Sequence, residues 1–249
     1  MLQAIGAGRA SGPAVVRQPV YLLGLVFDLI AWLASLVALQ QMPAFAVQSL
    51  LAGSVGITVL LAWVFLRVRP RPRDGAALAL LTVALVGVAA ASGTQAASAA
   101  PPWFAAAAGV SVVALGGLLA ATYRQGRWAA LSLIAGTGFA AAAVCARGLD
   151  VSAGWSELLL EPLVWAIAGF GVLGALGYAR ALESGQVGPA TALLWVVEVL
   201  VAGGVGVVAL GDQVRPGLGW LAVLSVVVAV GASGVLALSP AAEPGAAAG

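Results

Sequence analysis

The chain contains no histidine, no lysine and no asparagine. Those absences remove several classes of chemistry at once. There can be no imidazole metal ligand, no Walker-type lysine on a phosphate and no Asn-linked glycosylation acceptor. A single cysteine, Cys145, excludes an intrachain disulfide and reads as a small apolar residue. Charge is scarce as well: 8% of the 249 residues are charged, against about a quarter in a soluble domain. The formal net charge of +2 is too small to point to nucleic acid. Neither a cofactor signature nor a nucleophile–base pair is present, so the sequence reads as a non-enzyme with no cofactor.

What is there is apolar. Hydrophobic residues make up 62% of the chain, and the mean hydropathy is +1.09. Such a chain lacks the polar surface to dissolve and belongs in lipid, with room for about eight spans. All eleven basic residues are arginine. With so much Ala, Gly and Val, this looks like GC-rich bacterial coding, hence a bacterial inner membrane.

Apolar runs between breakers predict an all-α, polytopic bundle of about eight spans. They are Val20–Leu39, Ala44–Val68, Ala76–Ala91, Trp103–Thr122, Trp128–Cys145, Pro162–Leu182, Val187–Leu210 and Leu218–Leu238. Residues 1–19 form an N-terminal segment, 20–122 a first half, 123–238 a second half, and 239–249 a mobile Gly/Ala/Pro-rich tail. "MLQAIGAGRA" has eight residues before its first arginine, too short for a signal peptide. On these boundaries no arginine falls inside a span. Nine arginines gather on one face, in "RVRPRPRD", "YRQGR", Arg180, Arg9 and Arg17, leaving Arg147 and Arg215 on the other. Positive residues favour the cytoplasm, so both termini are expected there. The clusters set topology and touch anionic lipid headgroups. Asp150, Glu157 and Glu161 are expected near the outer face as solvated loop charges. Glu183 is expected at an interface, and Asp212 solvated in an outer turn.

Sliding the chain along itself by 143 residues aligns Pro19 with Pro162, Phe27 with Phe170 and Leu50-Leu51 with Leu193-Leu194. After one extra residue, Arg71-Pro72 meets Arg215-Pro216. The match pairs the first span with the sixth, an odd offset, so the two copies would be inverted. Inverted repeats are a common build of secondary transporters, with the site near midplane where the halves meet.

"ALQQMPAFAVQSLLAGSVGITVLLAWVFLRVRPR" resembles the end of one helix and the next in the drug/metabolite transporter (DMT) superfamily. "ARALESGQVGPATALLWVVEVLVAGGVGVVALGDQVRPG" is similar to the matching part of that pattern's second half. The nearest branch is EamA/NIPA-like, whose best-known members are described as magnesium transporters. The resemblance covers roughly residues 18–90 and 160–238 and has no diagnostic catalytic signature. NIPA-like members typically have nine spans, and "MLQAIGAGRA" is similar only to the last turns of their first helix. The start reads as mis-assigned, the chain as a piece, or the protein as working with eight.

Asp28 and Glu198 are the two acids well inside spans. At 1.5 Å per residue they sit roughly 12 and 16 Å below their helix starts, near the middle of a core about 30 Å thick. A carboxylate at that depth must be protonated, bind a cation, or meet water and hydrogen-bond donors. Packing glue between helices is the bland alternative. Tyr21, Gly24, Asp28, Ala31 and Ser35 recur on one face, as do Thr191, Trp195 and Glu198. Gln48 could join them, with Tyr178 as a further lining residue. Trp195 reads either as cavity lining that attracts a cation or as packing bulk. Ser49/Gly53, Ser132/Gly136 and "GFGVLGALG" read as close-packing stripes. The last contains a literal dinucleotide pattern, Gly169, Gly171 and Gly174, but within a span rather than after a strand.

The expectation is therefore a DMT-type secondary transporter working by alternating access. Magnesium is the cargo the resemblance implies, with Glu198 and Asp28 as its ligands, since Mg²⁺ keeps several waters and needs one or two carboxylates. One alternative is a proton-coupled or facilitated exporter of a small metabolite. Another is a non-transporting membrane subunit. Expected partners are membrane lipids and a small-molecule or ion substrate, with no nucleic acid. A homodimer or a partner membrane protein is compatible with the same sequence.

Overall fold

The structure is a computed structural model that describes residues 30–31, 34–54, 56–57, 60, 71–92, 95–97, 100–150, 155–183 and 187–238. Among them the regular elements are helices, with one isolated antiparallel bridge between Ser92 and Val214. The helices are α1 (Ala44–Ala52), α2 (Pro72–Ala91), α3 (Phe104–Tyr123), α4 (Trp128–Arg147), α5 (Trp155–Leu160), α6 (Pro162–Leu182), α7 (Val187–Ala209) and α8 (Gly219–Ala237). Six of them, α2, α3, α4, α6, α7 and α8, are long and apolar enough to cross a membrane. The protein is a helical membrane bundle. The first two expected spans fall partly outside the described residues; of their described parts, residues 30–31, 34–39, α1, 54, 56–57 and 60 are helical.

These segments are helical because lipid offers no partners for backbone N–H and C=O groups, and a helix satisfies them internally. Proline marks two starts, Pro72 and Pro162, where its missing N–H costs nothing. Asp74 accepts the Arg71 N–H at 2.9 Å, closing the first turn of α2. The outward faces stay apolar: Val113 is 76% exposed and Val208 is 87% exposed. Exposed valine and leucine in such number would be an aggregation liability in water and are the natural face toward acyl chains.

Helix α7 is the centre of the bundle. It packs on α4 and α6 on one side and on α1 and α8 on the other, while α2 pairs with α8 and α3 leans on α6 and α4. The α4–α7 approach depends on glycine: a Cβ added to Gly136 would lie 2.7 Å from the Leu194 carbonyl oxygen and 2.9 Å from Val197 Cβ. That is the small-residue contact expected of membrane helices. The "GFGVLGALG" run lies inside α6, without the strand a dinucleotide site requires.

Helix α4 corrects the sequence reading in one respect. It runs to Arg147, two residues beyond the expected end at Cys145, so an arginine does lie within a spanning helix, and it is buried.

Candidate functional site: an acid-lined chamber beneath a buried ion pair

Glu198 projects from the middle of α7 and is only 6% exposed. It lines a chamber of about 400 Å³ together with Gln48 and Leu51 of α1, Ser35, Leu36 and Leu39, Phe139, Ala142 and Ala143 of α4, and Ile167, Ala168, Gly171 and Val172 of α6. The walls are mostly apolar. Glu198 and Gln48 are their buried polar members, and Ser35 is half-buried. Among the described residues Glu198 has no ion-pair partner, and the Gln48 Oε1 atom has no hydrogen-bond partner. Burying an unpaired amide oxygen costs free energy that a ligand or a water can recover.

A larger cavity, about 470 Å³, lies between α3, α4, α6 and α7 and is lined by Trp103, Phe104, Leu115, Cys145, Phe170 and Val201 among others. No acidic or basic side chain lines it. Size alone favours this cavity, but the groups able to bind or move an ion face the smaller one.

The structure brings Glu198, Gln48 and Ser35 to one chamber and leaves Trp195 and Tyr178 out of its lining. Asp28 lies outside the described residues, as do Tyr21 and Gly24. Trp195 packs against the α2–α8 cluster of Ala77, Leu81, Ala84 and Leu236 rather than lining the chamber. Tyr178 shares a 2.6 Å hydrogen bond with Thr191, tying α6 to α7. Arg180 pairs with Glu183 and stacks over Tyr123 at 5.5 Å from the ring centroid. No group of three or more potential metal ligands occurs among the described residues.

Sequence reasoning missed the ion pair above the chamber. Arg147 and Asp212 are each 1% exposed at the side chain and lie 2.9 Å apart, Nη2 to Oδ1. Asp212 is therefore not the solvated turn residue its position suggested. Arg147 Nε donates to the same Oδ1 at 3.0 Å, and Nη1 donates to the Leu39 and Gln95 carbonyls at 2.7 and 3.1 Å. The second Asp212 oxygen, Oδ2, accepts the Ala44 N–H at 2.7 Å. Only a glycine at 206 leaves room for it, because a Cβ there would sit 2.6 Å from Oδ2. Gln95 extends the cluster, donating to the Gly211 carbonyl and accepting the Gln213 N–H. One ion pair thus joins the end of the 34–39 helix, the start of α1, the 95–97 segment, the end of α4 and the α7–α8 turn.

Compared with known proteins, the chain matches no family model, no curated protein and no solved structure.

Proposed function

We propose that this chain is a secondary transporter of the DMT type, moving a small metabolite by alternating access with Glu198 as the proton-responsive group. One observation carries the reading: Glu198, which has no ion-pair partner among the described residues, and Gln48, whose Oε1 has no hydrogen-bond partner, are both buried and open onto one chamber walled by helices from both halves. An intramembrane carboxylate without a partner is costly and is a functional hypothesis by default. The inverted repeat in the sequence and the central place of α7 fit a site between two moving halves.

The largely apolar walls favour an organic cargo over a hydrated divalent cation, whose waters need oxygen acceptors around them. Magnesium would call on Asp28 as a second carboxylate. The arginine bias supports a cytoplasmic Arg71 end of α2 and an outer Arg147 end of α4.

The test is exchange in proteoliposomes carrying pH and Mg²⁺ dyes, with a panel of small metabolites, comparing the native chain with Glu198→Gln. Metabolite-driven proton movement in the native chain, lost in the variant, is the expected result. Proton-coupled exchange that survives in the folded variant refutes the role of Glu198. Mg²⁺ entry without proton movement transfers the assignment to a cation carrier. Silence from a folded native chain favours the non-transporting subunit.

A further inference from the structure

We propose that the Arg147–Asp212 pair is the outer gate of the Glu198 chamber, a contact that must break for the chamber to open on that face. The inference rests on the transporter reading for its purpose, but its geometry stands independently. Four chamber walls climb to the same pair. Leu39 lines the chamber with its side chain and gives its carbonyl to Arg147. Gln48 stands one helical turn below Ala44, whose N–H is held by Asp212. Ala143 stands one turn below Arg147 on α4. Glu198 lies two turns below Gly206, roughly 12 Å along α7, where Asp212 folds back against the helix. The chamber therefore has a roof, and the pair sits in it.

A static staple could be made of the same residues, so the distinguishing feature is what the pair holds together. Its partners come from α4 on one side and from α1 and the α7–α8 turn on the other, and at the level of the roof they meet on a single carboxylate. Removing a charge there takes away the one contact these segments share, leaving the Gln40–Ala146 bond, the bonds of Gln95 to the α7–α8 turn and the packing of α4 on α7. A buried ion pair is also well suited to a two-state contact, since its net worth is small when it is made and its loss is costly unless water enters. Opening the roof admits that water, which hydrates both charges.

The experiment measures access, and needs no knowledge of the cargo. Cys145→Ala removes the native thiol, and Ala142→Cys places a single thiol in the chamber wall. A membrane-impermeant maleimide is then applied to intact cells and, separately, to inside-out vesicles. Asp212→Asn is expected to raise the labelling rate in cells at least tenfold and leave the rate in vesicles unchanged. Arg147→Lys, which keeps the buried charges balanced but loses the fork to Leu39 and Gln95, is expected to raise it several-fold. Equal labelling of folded variants and parent overturns the gate. So does a rise confined to inside-out vesicles. If neither variant folds, the gate is also overturned, because a contact that cannot break without unfolding cannot open. Proton-coupled exchange surviving in Glu198→Gln, beside increased labelling in Asp212→Asn, would refute the proton role of Glu198 and keep the gate.

Discussion

Arg147→Met offers the sharpest energetic test of the polar cluster. The substitution keeps most of the side-chain volume but removes the guanidinium, leaving the Asp212 carboxylate buried with only the Ala44 N–H. Breaking one member of a buried pair costs about 3–5 kcal/mol. The Leu39 and Gln95 carbonyls lose their donor as well, and each buried unsatisfied group adds about 1–3 kcal/mol unless water reaches it. Asp212→Leu leaves the opposite charge stranded and is expected to cost about 3–5 kcal/mol by the same reasoning. The double variant leaves no charge unpaired. Its cost should be about that of either single change, with a coupling of roughly 3 kcal/mol or more between the two positions. Reversible unfolding in mixed micelles, run as a double-mutant cycle, measures this directly. If the two costs add to within about 0.5 kcal/mol, the residues act independently and the assignment fails.

The other predictions concern single contacts. Gly206→Ala drives a methyl group to 2.6 Å from Asp212 Oδ2 and should cost about 1–3 kcal/mol in the same unfolding assay, less once Asp212 is already replaced by Ala. Gly136→Ala meets the Leu194 carbonyl, a backbone atom that cannot rotate away, and is expected to destabilise by a similar amount, about 1–3 kcal/mol; unchanged stability would mean that α4 and α7 are further apart. Tyr178→Phe removes the bond to Thr191, with an expected cost of about 0.5–1.5 kcal/mol and no change in exchange in proteoliposomes.

The fold was legible where local rules decide it. In a chain this apolar, helix ends fall at breakers and charges, so Pro162–Leu182 coincides with the expected span, α7 differs from its own by one residue at one end, and α3 and α8 differ by one residue at each end. The sequence ends α4 at Cys145 because Arg147 reads as a loop charge, whereas its partner lies in a turn 65 residues further on. Glu198 and Gln48 were legible as polar residues inside apolar runs. That Gln48 could join Glu198 was expected; which of the other expected residues would face the same chamber was not legible, because helix rotation is set by packing. Thr191, Trp195 and Glu198 share an arc of α7 by spacing alone. The structure divides that arc among Tyr178 of α6, the α2–α8 cluster and the chamber, since α7 has neighbours on most of its circumference.

Nothing in the spacing of Arg147 and Asp212 pairs them. The available signal was indirect: an arginine and an aspartate expected on the same membrane face, on the side where positive charge is otherwise nearly missing. That scarcity also bears on orientation. The bias was counted as nine arginines against two, with Arg147 as one of the two. A guanidinium buried against a carboxylate presents no net charge to headgroups, so Arg147 does not count as a topogenic charge in the folded protein. Arg215, the other arginine expected on that face, is exposed. With Arg147 neutralised by Asp212, the arginine asymmetry expected from the sequence becomes steeper, in keeping with the proposal that the pair lies toward the outer side.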